Sequence, residues 1–450
     1  MSALTRLLSA AASALAVLSV LASLGAASLI SRFPPPSTFS ELFPAGNPSV
    51  AEARFWRPSC NGVVCKLCPF ECFLPEGARG RCKVRLNSGG HLKTLVYARP
   101  VSVHVDPIEK KPVFHLLPGS WIYSLATMGC NLRCTACQNW EISQAFPEQA
   151  PAKVVAPSGI ALSVSPDGRM SGSLQQKEYA LMTPKDVVDA ALATRSRSIA
   201  YTYSEPAVFY EYMLDTARLA REKGLRNVMV SGGYINRAPL EELAPYLDVV
   251  KIDLKGFDEG FYRRYAGGEL SSVLRTLKDL HELGVLTEVV NLVVPTLNDG
   301  PEDLRRLSAW VRENLGRDTP LFFSRFHPNY RLQNLPQTPD ETLAKARDIA
   351  LKEGLRFVYV GNVPGHPGEN TTCPKCNRIL VRRVGYAVLE NLLTPNKGRC
   401  PYDGTKVPGV WVDEPPKPVA AGPKGDPCQD CGRPDCRGCP VQHGAEGSDD

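Results

Sequence analysis

Three cysteines within eight residues constrain this chain more than any other feature of its sequence. The segment 128–140 reads MGCNLRCTACQNW and places Cys130, Cys134 and Cys137 at C-x3-C-x2-C spacing. Such closely spaced thiolates can all bind one metal centre if a loop wraps around it, and sulfur ligands suit an iron–sulfur cluster. The alternative is a zinc site with a fourth ligand from elsewhere, but zinc sites usually contain C-x2-C pairs. We therefore expect a [4Fe-4S] cluster with three cysteine ligands and one open iron.

The chain has 450 residues and 15 cysteines, and all of the cysteines except Cys60 fall into four closely spaced groups. The groups are Cys65, Cys68, Cys72 and Cys82; Cys130, Cys134 and Cys137; Cys373, Cys376 and Cys400; and Cys428, Cys431, Cys436 and Cys439. This grouping and the odd total fit a disulfide framework poorly and are typical of metal ligation. The net charge of +6 is modest and spread along the chain, so the sequence predicts no nucleic-acid partner.

The N-terminal segment is apolar over Leu7–Ile30, where 24 residues carry no charge. That length can span a bilayer, although a signal peptide cleaved near Ala26 or a merely buried helix are alternatives. We expect residues 1–31 to anchor the protein in a membrane, with the catalytic body in the cytoplasm, because a low-potential cluster needs cytosolic electron donors. Without the anchor, the protein would be cytoplasmic. Arg6 and Arg32 flank the segment too evenly to set its orientation.

Apolar runs rich in Val, Ile, Phe and Tyr alternate with amphipathic segments between residues 121 and 360. This alternation predicts an α/β fold, in which right-handed helical crossovers connect parallel strands into a complete or partial (β/α) barrel. The predicted strands are 121–127, 199–203, 227–231, 248–253, 286–294, 321–326 and 355–360. The predicted helices are 184–195, 207–223, 272–283, 302–314 and 340–353.

Composition divides the chain into six segments, with small Cys-rich, metal-binding appendages on both sides of the barrel. The segments are the anchor or signal 1–31, a Pro/Ser-rich linker 32–59, a Cys-rich unit 60–118, the barrel 119–365, a zinc-ribbon-like segment 366–412 and a Cys-rich tail 413–450. Within the barrel, residues 145–182 are rich in Pro, Ser and Gly. A long structureless loop is unusual in a compact domain, so we expect a surface hairpin or lid there.

Polar groups follow the predicted strands at the points where these strands end. They include Tyr201–Pro206 after the second strand, Ser231–Tyr234 after the third, Asp253–Lys255 after the fourth, Asn291 near the end of the fifth and Ser324–His327 at the end of the sixth. The Cys130 segment follows the first strand. Because reactive groups of a parallel barrel lie at the carboxyl ends of its strands, these segments should share one rim.

With these segments in view, the chain resembles the pyruvate formate-lyase-activating-enzyme branch of the radical S-adenosylmethionine (SAM) proteins. More closely, it resembles the AmmeMemoRadiSam-system radical SAM enzymes. The resemblance rests on DPIEKKP at 106–112, His115 with LPGS at 117–120, TMGCNLRCTACQNWEISQ at 127–144 and YTYSEP at 201–206. It extends from about Cys65 to Trp411 and implies a partial barrel of radical SAM type. Ala136 departs from the family, in which an aromatic residue usually precedes the last cysteine.

The resemblance implies that SAM binds the open iron of the cluster and contacts residues along the rim. Glu205 would take the SAM amino group, with Tyr203 and Ser204 in place of two glycines, and Asp253 and Lys255 would lie near the methionyl and ribose parts. The full set implied is Ala136, Ser204, Glu205, Ser231, Gly232, Asp253, Lys255, Asn291 and His327, the last near the nucleoside. A zwitterionic sulfonium does require a carboxylate for its ammonium and a cation for its carboxylate.

The function implied is reductive cleavage of SAM to a 5′-deoxyadenosyl radical, which abstracts hydrogen from a substrate. A flavodoxin- or ferredoxin-like protein would supply the electron. The substrate could be a glycyl-radical-type, Memo-type or AMMECR-type protein, or a small molecule instead. A membrane-tethered iron–sulfur electron carrier without SAM is the rival from another class. Such a carrier would not need Glu205, Asp253 or Lys255.

The other cysteine groups suggest further metal sites. Cys65, Cys68, Cys72 and Cys82 could complete either a tetrahedral zinc site or a second, closed cluster. Cys373, Cys376 and Cys400 resemble a zinc ribbon in which Asp403 replaces the usual fourth cysteine, so the segment either binds zinc or has lost it. Cys428, Cys431, Cys436 and Cys439 lie in a short segment without a core of its own, which would fold around a metal of unspecified kind.

The segment 106–112 mixes both signs of charge. It could be catalytic, but a solvated turn that holds the N-terminal unit against the barrel is the favoured interpretation. A structural role is likewise expected for His115.

Overall fold

The computed structural model describes residues 49–164 and 170–416. Its strands in chain order are β1 (Ala51–Glu52), β2 (Trp56–Ser59), β3 (Gly62–Cys65), β4 (Phe73–Leu74), β5 (Arg85–Ser88), β6 (His91–Thr94), β7 (Ser102–Pro107), β8 (Trp121–Ala126), β9 (Val154–Val164), β10 (Met170–Tyr179), β11 (Ser198–Tyr201), β12 (Arg226–Ser231), β13 (Val249–Asp253), β14 (Leu286–Val293), β15 (Leu321–Arg325), β16 (Val358–Gly361), β17 (Thr371–Thr372), β18 (Ile379–Val384) and β19 (Ala387–Asn391). The α-helices are α1 (Trp140–Ser143), α2 (Pro184–Ala193), α3 (Tyr210–Glu222), α4 (Arg237–Leu243), α5 (Glu259–Ala266), α6 (Leu270–Glu282), α7 (Pro301–Leu315) and α8 (Asp340–Lys352).

An eight-stranded sheet forms the centre of the fold, in the order β16-β15-β14-β13-β12-β11-β8-β7. Seven of its strands are parallel, and the edge strand β7 pairs antiparallel with β8. The parallel strands are the seven predicted from the apolar runs. Both faces of such a sheet are covered, which explains why β11 is buried along its whole length. The predicted α/β fold with a partial (β/α) barrel is confirmed.

Helices connect the parallel strands, and capping residues mark where these helices begin and end. At the start of α2, Thr183 N donates to Asp186 Oδ2 at 2.8 Å and Thr183 Oγ1 accepts from Asp186 N at 3.2 Å, which is a reciprocal capping box. The Asp258 carboxylate caps α5, and Gly267 ends it with a φ of +69°. The short helices α4 and α5 were not among the helices predicted from sequence. Their few turns show less periodicity than the longer helices do.

The N-terminal unit consists of two small antiparallel sheets, β1-β6-β5 and β2-β3-β4. Residues 51–59, placed in the linker by composition, contribute β1 and β2 to these sheets. Arg85 attaches the unit to the barrel: its buried guanidinium forms an ion pair with Glu211 on α3 and donates to the carbonyl of Arg54 at 2.8 Å.

A hairpin occupies the part of the chain that breaks the strand–helix alternation. Strands β9 and β10 pair antiparallel from Val154 opposite Tyr179 to Val164 opposite Met170, with a register shift at Gln175 and Gln176. The hydroxyl of Tyr123 on β8 donates to the carbonyl of Pro157 at 2.7 Å, which ties the hairpin to the sheet.

Strands β17, β18 and β19 form a small sheet, and His115 connects the segment that follows this sheet to β16 of the barrel. The His115 Nδ1 lies 2.6 Å from the Pro408 carbonyl oxygen, which can only accept, so Nδ1 donates there. Nε2 then accepts from the Tyr359 hydroxyl at 2.7 Å. Burial lowers the pKa of His115 to about 3, which keeps the ring neutral. The expected structural role of His115 agrees with these contacts.

The predicted anchor (1–31) and the tail cysteines (428–439) lie outside the described residues. Within residues 49–164 and 170–416, no helix combines the length and the apolar character needed to cross a membrane.

Candidate active site

The Cys130 loop, residues 128–139, leaves the carboxyl end of β8 and is held by backbone hydrogen bonds to α5. The amide of Arg133 donates to the carbonyl of Ala266 at 2.7 Å, and the amide of Thr135 donates to that of Tyr265 at 2.9 Å. Asn139 at the other end of the loop donates to the carbonyl of Tyr203 at 2.8 Å. The loop is therefore fixed at both ends to the rim of the barrel.

The three thiols of this loop are free of disulfides and partly buried. Burial and the nearby carboxylate of Glu205 raise the pKa of Cys130 well above its usual value. Burial likewise raises the pKa of Cys134 to about 11. The amide of Leu132 donates to Cys130 Sγ at 3.3 Å, and Cys137 Sγ lies 3.2 Å from the Ser143 hydroxyl. Cys130 and Cys134 are therefore neutral without metal and become thiolates when a metal displaces their protons.

Glu205 follows β11 and lies buried in a set of hydrogen-bond donors from the neighbouring strand end. Ser231 Oγ donates to Glu205 Oε1 at 2.6 Å, Gly232 N donates to Oε2 at 2.8 Å, and Ala207 N donates to Oε1 at 3.1 Å. Burial nevertheless raises the pKa of Glu205. Since a carboxylate has about four acceptor positions, three donors leave room for one more, and a cation there would restore the charged form.

Asp253 ends β13 between two lysines. Lys255 Nζ donates to Asp253 Oδ2 at 2.7 Å, and Lys251 Nζ forms a second ion pair with Oδ1. Burial alone would raise the pKa of Asp253, but the two ammonium groups outweigh it and hold this pKa well below its usual range. Burial lowers the pKa of Lys251. The Asp253 side chain keeps 26% of its surface exposed and can be reached from the rim.

These groups act on one another electrostatically, so they occupy one site. The positive charge of Lys255 lowers the pKa of the Cys134 thiol against the larger effect of burial. The carboxylate of Asp253 contributes to the raised pKa of Glu205. A loop of thiols, a buried carboxylate and an aspartate with two lysines thus meet at the carboxyl end of the parallel sheet.

Three other residues predicted for the rim are buried there, whereas His327 is exposed. Ser204 donates to the carbonyl of Thr127 at 2.8 Å, and Asn291 donates to that of Leu254 at 2.8 Å. Ala136 is buried at the base of the Cys130 loop. His327 lies two residues beyond β15 and is exposed, so the structure does not enclose its side chain with the others.

Comparisons with known proteins show the family to which the chain belongs. A sequence family described as the radical SAM superfamily matches residues 125–308. The chain is also 44% identical over 358 residues to the uncharacterized protein MJ0808 of Methanocaldococcus jannaschii, an alignment covering 79% of this chain and 98% of the relative. The chain belongs to the radical SAM superfamily. Membership implies an enzyme that uses a [4Fe-4S] cluster and SAM.

More distant relatives include a pyruvate formate-lyase-activating enzyme of Staphylococcus epidermidis. It is 21% identical over 262 residues, which cover 54% of this chain and 90% of the relative. Among solved structures, a radical SAM methyltransferase from Sphaerobacter thermophilus matches with a TM-score of 0.39 and 12% identity, over 54% of this chain and 67% of that one.

The residues present fit the two cofactors of a radical SAM enzyme. Three free thiols on one loop can each ligate an iron of a cubane cluster. The Asn291 Oδ1 atom is buried without a hydrogen-bond partner among the described residues, and Glu205 has an acceptor position left. Lys255 supplies a cation for a carboxylate. The donor set therefore suits a zwitterionic ligand beside a cluster.

Most of the segment 106–112 is buried, which contradicts its interpretation as a solvated turn, although Lys110 is exposed. Lys111 is 3% exposed, donates to Asp106 Oδ2 at 2.6 Å and lies 4.1 Å from the ring centroid of Tyr203. The Tyr203 hydroxyl donates to the same carboxylate oxygen at 2.6 Å. Burial lowers the pKa of Lys111 to about 8. The segment thus holds Tyr203, two residues before Glu205.

The ribbon group, Cys373, Cys376, Cys400 and Asp403, lies on the C-terminal sheet. All four ligand atoms are within 4.8 Å of one another. The sulfur atoms of Cys376 and Cys400 are 3.7 Å apart, and Cys373 Sγ is 3.4 Å from Asp403 Oδ2. This spacing suits a single tetrahedral ion, in which sulfur ligands lie about 2.3 Å from zinc.

One residue of the rim, Lys251, escaped the sequence analysis. A usable signal existed, because a lysine in the middle of the buried run VVKID is unusual and lies on the same face of β13 as Asp253. Lys111 lies in the segment 106–112, for which a catalytic role was considered, but its burial carried no signal, since consecutive charged residues more often face solvent.

Proposed function

We propose that this protein is a radical SAM enzyme of the activating-enzyme type, within the AmmeMemoRadiSam system. When bound, the cluster supplies the electron that cleaves SAM to methionine and a 5′-deoxyadenosyl radical, which takes a hydrogen atom from the substrate. The observation that carries the proposal is the meeting of the Cys130 loop, Glu205 and the Asp253–Lys255 pair at one rim. An electron carrier without SAM would not need the carboxylates and the lysine of this rim.

Each part of the rim has a role in this proposal. Cys130, Cys134 and Cys137 hold three irons. Glu205, which Ser231 and Gly232 orient, accepts the SAM ammonium. Lys255 faces the SAM carboxylate, while Asp253 and Asn291 offer acceptors for the ribose. Ser204 and Ala136 shape the pocket, and His327 contacts the nucleoside from the edge if the β15 loop folds inward.

A protein substrate is the favoured class. The Staphylococcus epidermidis relative is named for activating pyruvate formate-lyase, which is itself a protein. The AmmeMemoRadiSam resemblance points to Memo-type or AMMECR-type partners, with a glycyl-radical-type target as a further candidate. A flavodoxin- or ferredoxin-like protein supplies the electron, and zinc occupies the ribbon group. A small-molecule substrate is the second candidate.

Anaerobic reconstitution with iron and sulfide, followed by a test for 5′-deoxyadenosine under reducing conditions, decides whether the protein performs this chemistry. The wild-type protein should form 5′-deoxyadenosine, and Cys134→Ala should abolish its formation. Cys60→Ala is the matched control, because Cys60 is exposed and outside every cysteine group. Undiminished formation in Cys134→Ala would refute the assignment.

A further inference from the structure

The N-terminal thiols, Cys65, Cys68, Cys72 and Cys82, line a cavity that the proposed SAM site does not use. The cavity is small, about 20 Å³, and Arg85 and Asn131 also line it. All four cysteines are free of disulfides. The sequence left zinc and a second cluster as alternatives here, and the spacing of the thiols separates them.

A single zinc ion draws its four ligands together, because each sulfur lies about 2.3 Å from the metal. The ribbon group has this spacing, with its ligand atoms all within 4.8 Å. Among the described residues, no other set of Cys, His and carboxylate groups closes to that spacing. The N-terminal thiols instead line a cavity and are not drawn together to that spacing. Separated thiolates suit a polynuclear cluster, in which each thiolate binds a different iron.

A positive group beside the cavity suits a buried anionic centre. The buried guanidinium of Arg85 lies 3.8 Å from Cys65 Sγ and provides a positive charge beside the thiolates.

We propose that the N-terminal thiols bind a second [4Fe-4S] cluster, in which every iron has a cysteine ligand. Four protein ligands leave no iron open, so this cluster does not bind SAM. The proposal goes beyond the proposed function and does not depend on it, since it concerns cluster binding alone.

The second cluster would lie directly beside the Cys130 loop. A β-carbon on Gly129 would stand 2.7 Å from the carbonyl oxygen of Cys82, so the two backbones touch where both cysteine sets converge. Arg81 Nε donates to the carbonyl of Asn131 at 3.2 Å, and Asn131 belongs to the loop while also lining the cavity. Two clusters this close should interact magnetically when both are reduced.

Three proteins test the proposal after anaerobic reconstitution with ferrous iron and sulfide. Cys428→Ala/Cys431→Ala is first introduced into all of them, so that the tail cysteines cannot supply iron, and the protein with this change alone serves as wild type. The loop variant adds Cys130→Ala/Cys134→Ala/Cys137→Ala and leaves the N-terminal site intact, and the N-terminal variant adds Cys68→Ala/Cys72→Ala. Wild type should bind about eight irons and each variant about four, as cubane clusters require. Cys60→Ala should match wild type. Zinc, which the ribbon group can bind, should be equal in all of them.

The electron paramagnetic resonance spectrum of the reduced protein gives a second readout. The loop variant should show a cubane signal of its own, and wild type should show a broader signal than the two variants added together. A loop variant without iron, or an N-terminal variant that loses one zinc and no iron, overturns the proposal. If the N-terminal variant fails to fold, the iron content of the loop variant still decides. Because no SAM is present, the outcome is separate from the test of the proposed function.

Discussion

The side chain of Leu132 lies so close to Gly232 that a β-carbon on this glycine would be 2.7 Å from Leu132 Cδ1. The other methyl group of Leu132 is equally confined, since a β-carbon on Gly268 would be 2.8 Å from Cδ2. Leu132 belongs to the Cys130 loop, and the amide of Gly232 binds Glu205. One leucine between two glycines therefore couples the position of the thiol loop to that of the carboxylate.

Replacing Gly232 with Ala should disturb both groups at once. The added methyl would meet Leu132 and lie 3.3 Å from Glu205 Oε2, and Leu132 cannot retreat past Gly268. Gly232 is not in the left-handed region, so the effect is steric. We expect a loss of stability of about 1–3 kcal/mol, as in other overpacked cores, with weaker SAM binding. Thermal unfolding and SAM titration measure the two effects.

Gly300→Ala is the matched control for SAM affinity, because its nearest neighbour would be Asp303 Oδ2 at 3.7 Å, an ordinary contact. Gly300 caps the N-terminus of α7, where Ala is less favourable than Gly, so this variant should itself melt slightly earlier. Equal SAM affinity in Gly232→Ala and Gly300→Ala would show that the Leu132 contact is unimportant.

Replacing Glu205 with Gln should weaken SAM binding and leave the cluster in place. The amide keeps the size of the carboxylate but removes the charge that faces an ammonium. Hydrogen bonds to charged groups are worth about 1.5–3 kcal/mol, which corresponds to a roughly 10–100-fold rise in Kd. Anaerobic calorimetric titration with SAM measures the affinity, and iron analysis verifies the cluster. Glu302→Gln, an exposed position on α7, is the control. Unchanged affinity in Glu205→Gln would exclude the proposed ammonium contact.

Replacing Arg85 with Met should destabilise the junction between the N-terminal unit and the barrel. Glu211 would then keep its buried charge without its partner, and both side chains of the pair are at most 6% exposed. Breaking a buried ion pair in this way costs about 3–5 kcal/mol. The double variant Arg85→Met/Glu211→Leu should recover part of the loss, because no charge remains buried. Chemical unfolding followed by circular dichroism tests this order, and a double variant less stable than Arg85→Met would contradict it.

His115 should make stability fall in mild acid. Burial lowers its pKa to about 3, while in the unfolded chain it titrates at about 6.5. Between these values the unfolded state binds one proton more, so stability falls as the pH drops from about 6.5 towards 3. The slope reaches about 1.4 kcal/mol per pH unit.

The pH dependence of His115→Gln should therefore be shallower than that of wild type between about pH 7 and about pH 5. Urea unfolding at several pH values within this range measures both slopes. His281→Gln replaces an exposed imidazole on α6 and should keep the wild-type slope. Equal slopes in wild type and His115→Gln would rule out the effect.

The sequence predicted most of the barrel because its signals are local. Apolar runs mark the seven parallel strands, and the order of the chain places a polar or cysteine segment at the end of the first six. Cys130, Glu205 and Asp253 could be assigned to one rim on that basis. The short helices α4 and α5 were missed, since a segment of seven or eight residues gives little periodicity.

The sequence by itself determined the α/β class, the loop of three thiols and the carboxyl groups at the strand ends, because these depend on residue type and on spacing along the chain. Only the tertiary structure decided that Lys111 is buried beneath Tyr203, that Lys251 shares Asp253 with Lys255, and that the N-terminal thiols surround a cavity beside Gly129. Such contacts join residues that are distant in sequence or face inward, and their distances depend on how the strands, sheets and loops pack. The sequence shows how many cysteines a group contains and how far apart they lie along the chain. The packed fold sets the distances between their sulfur atoms.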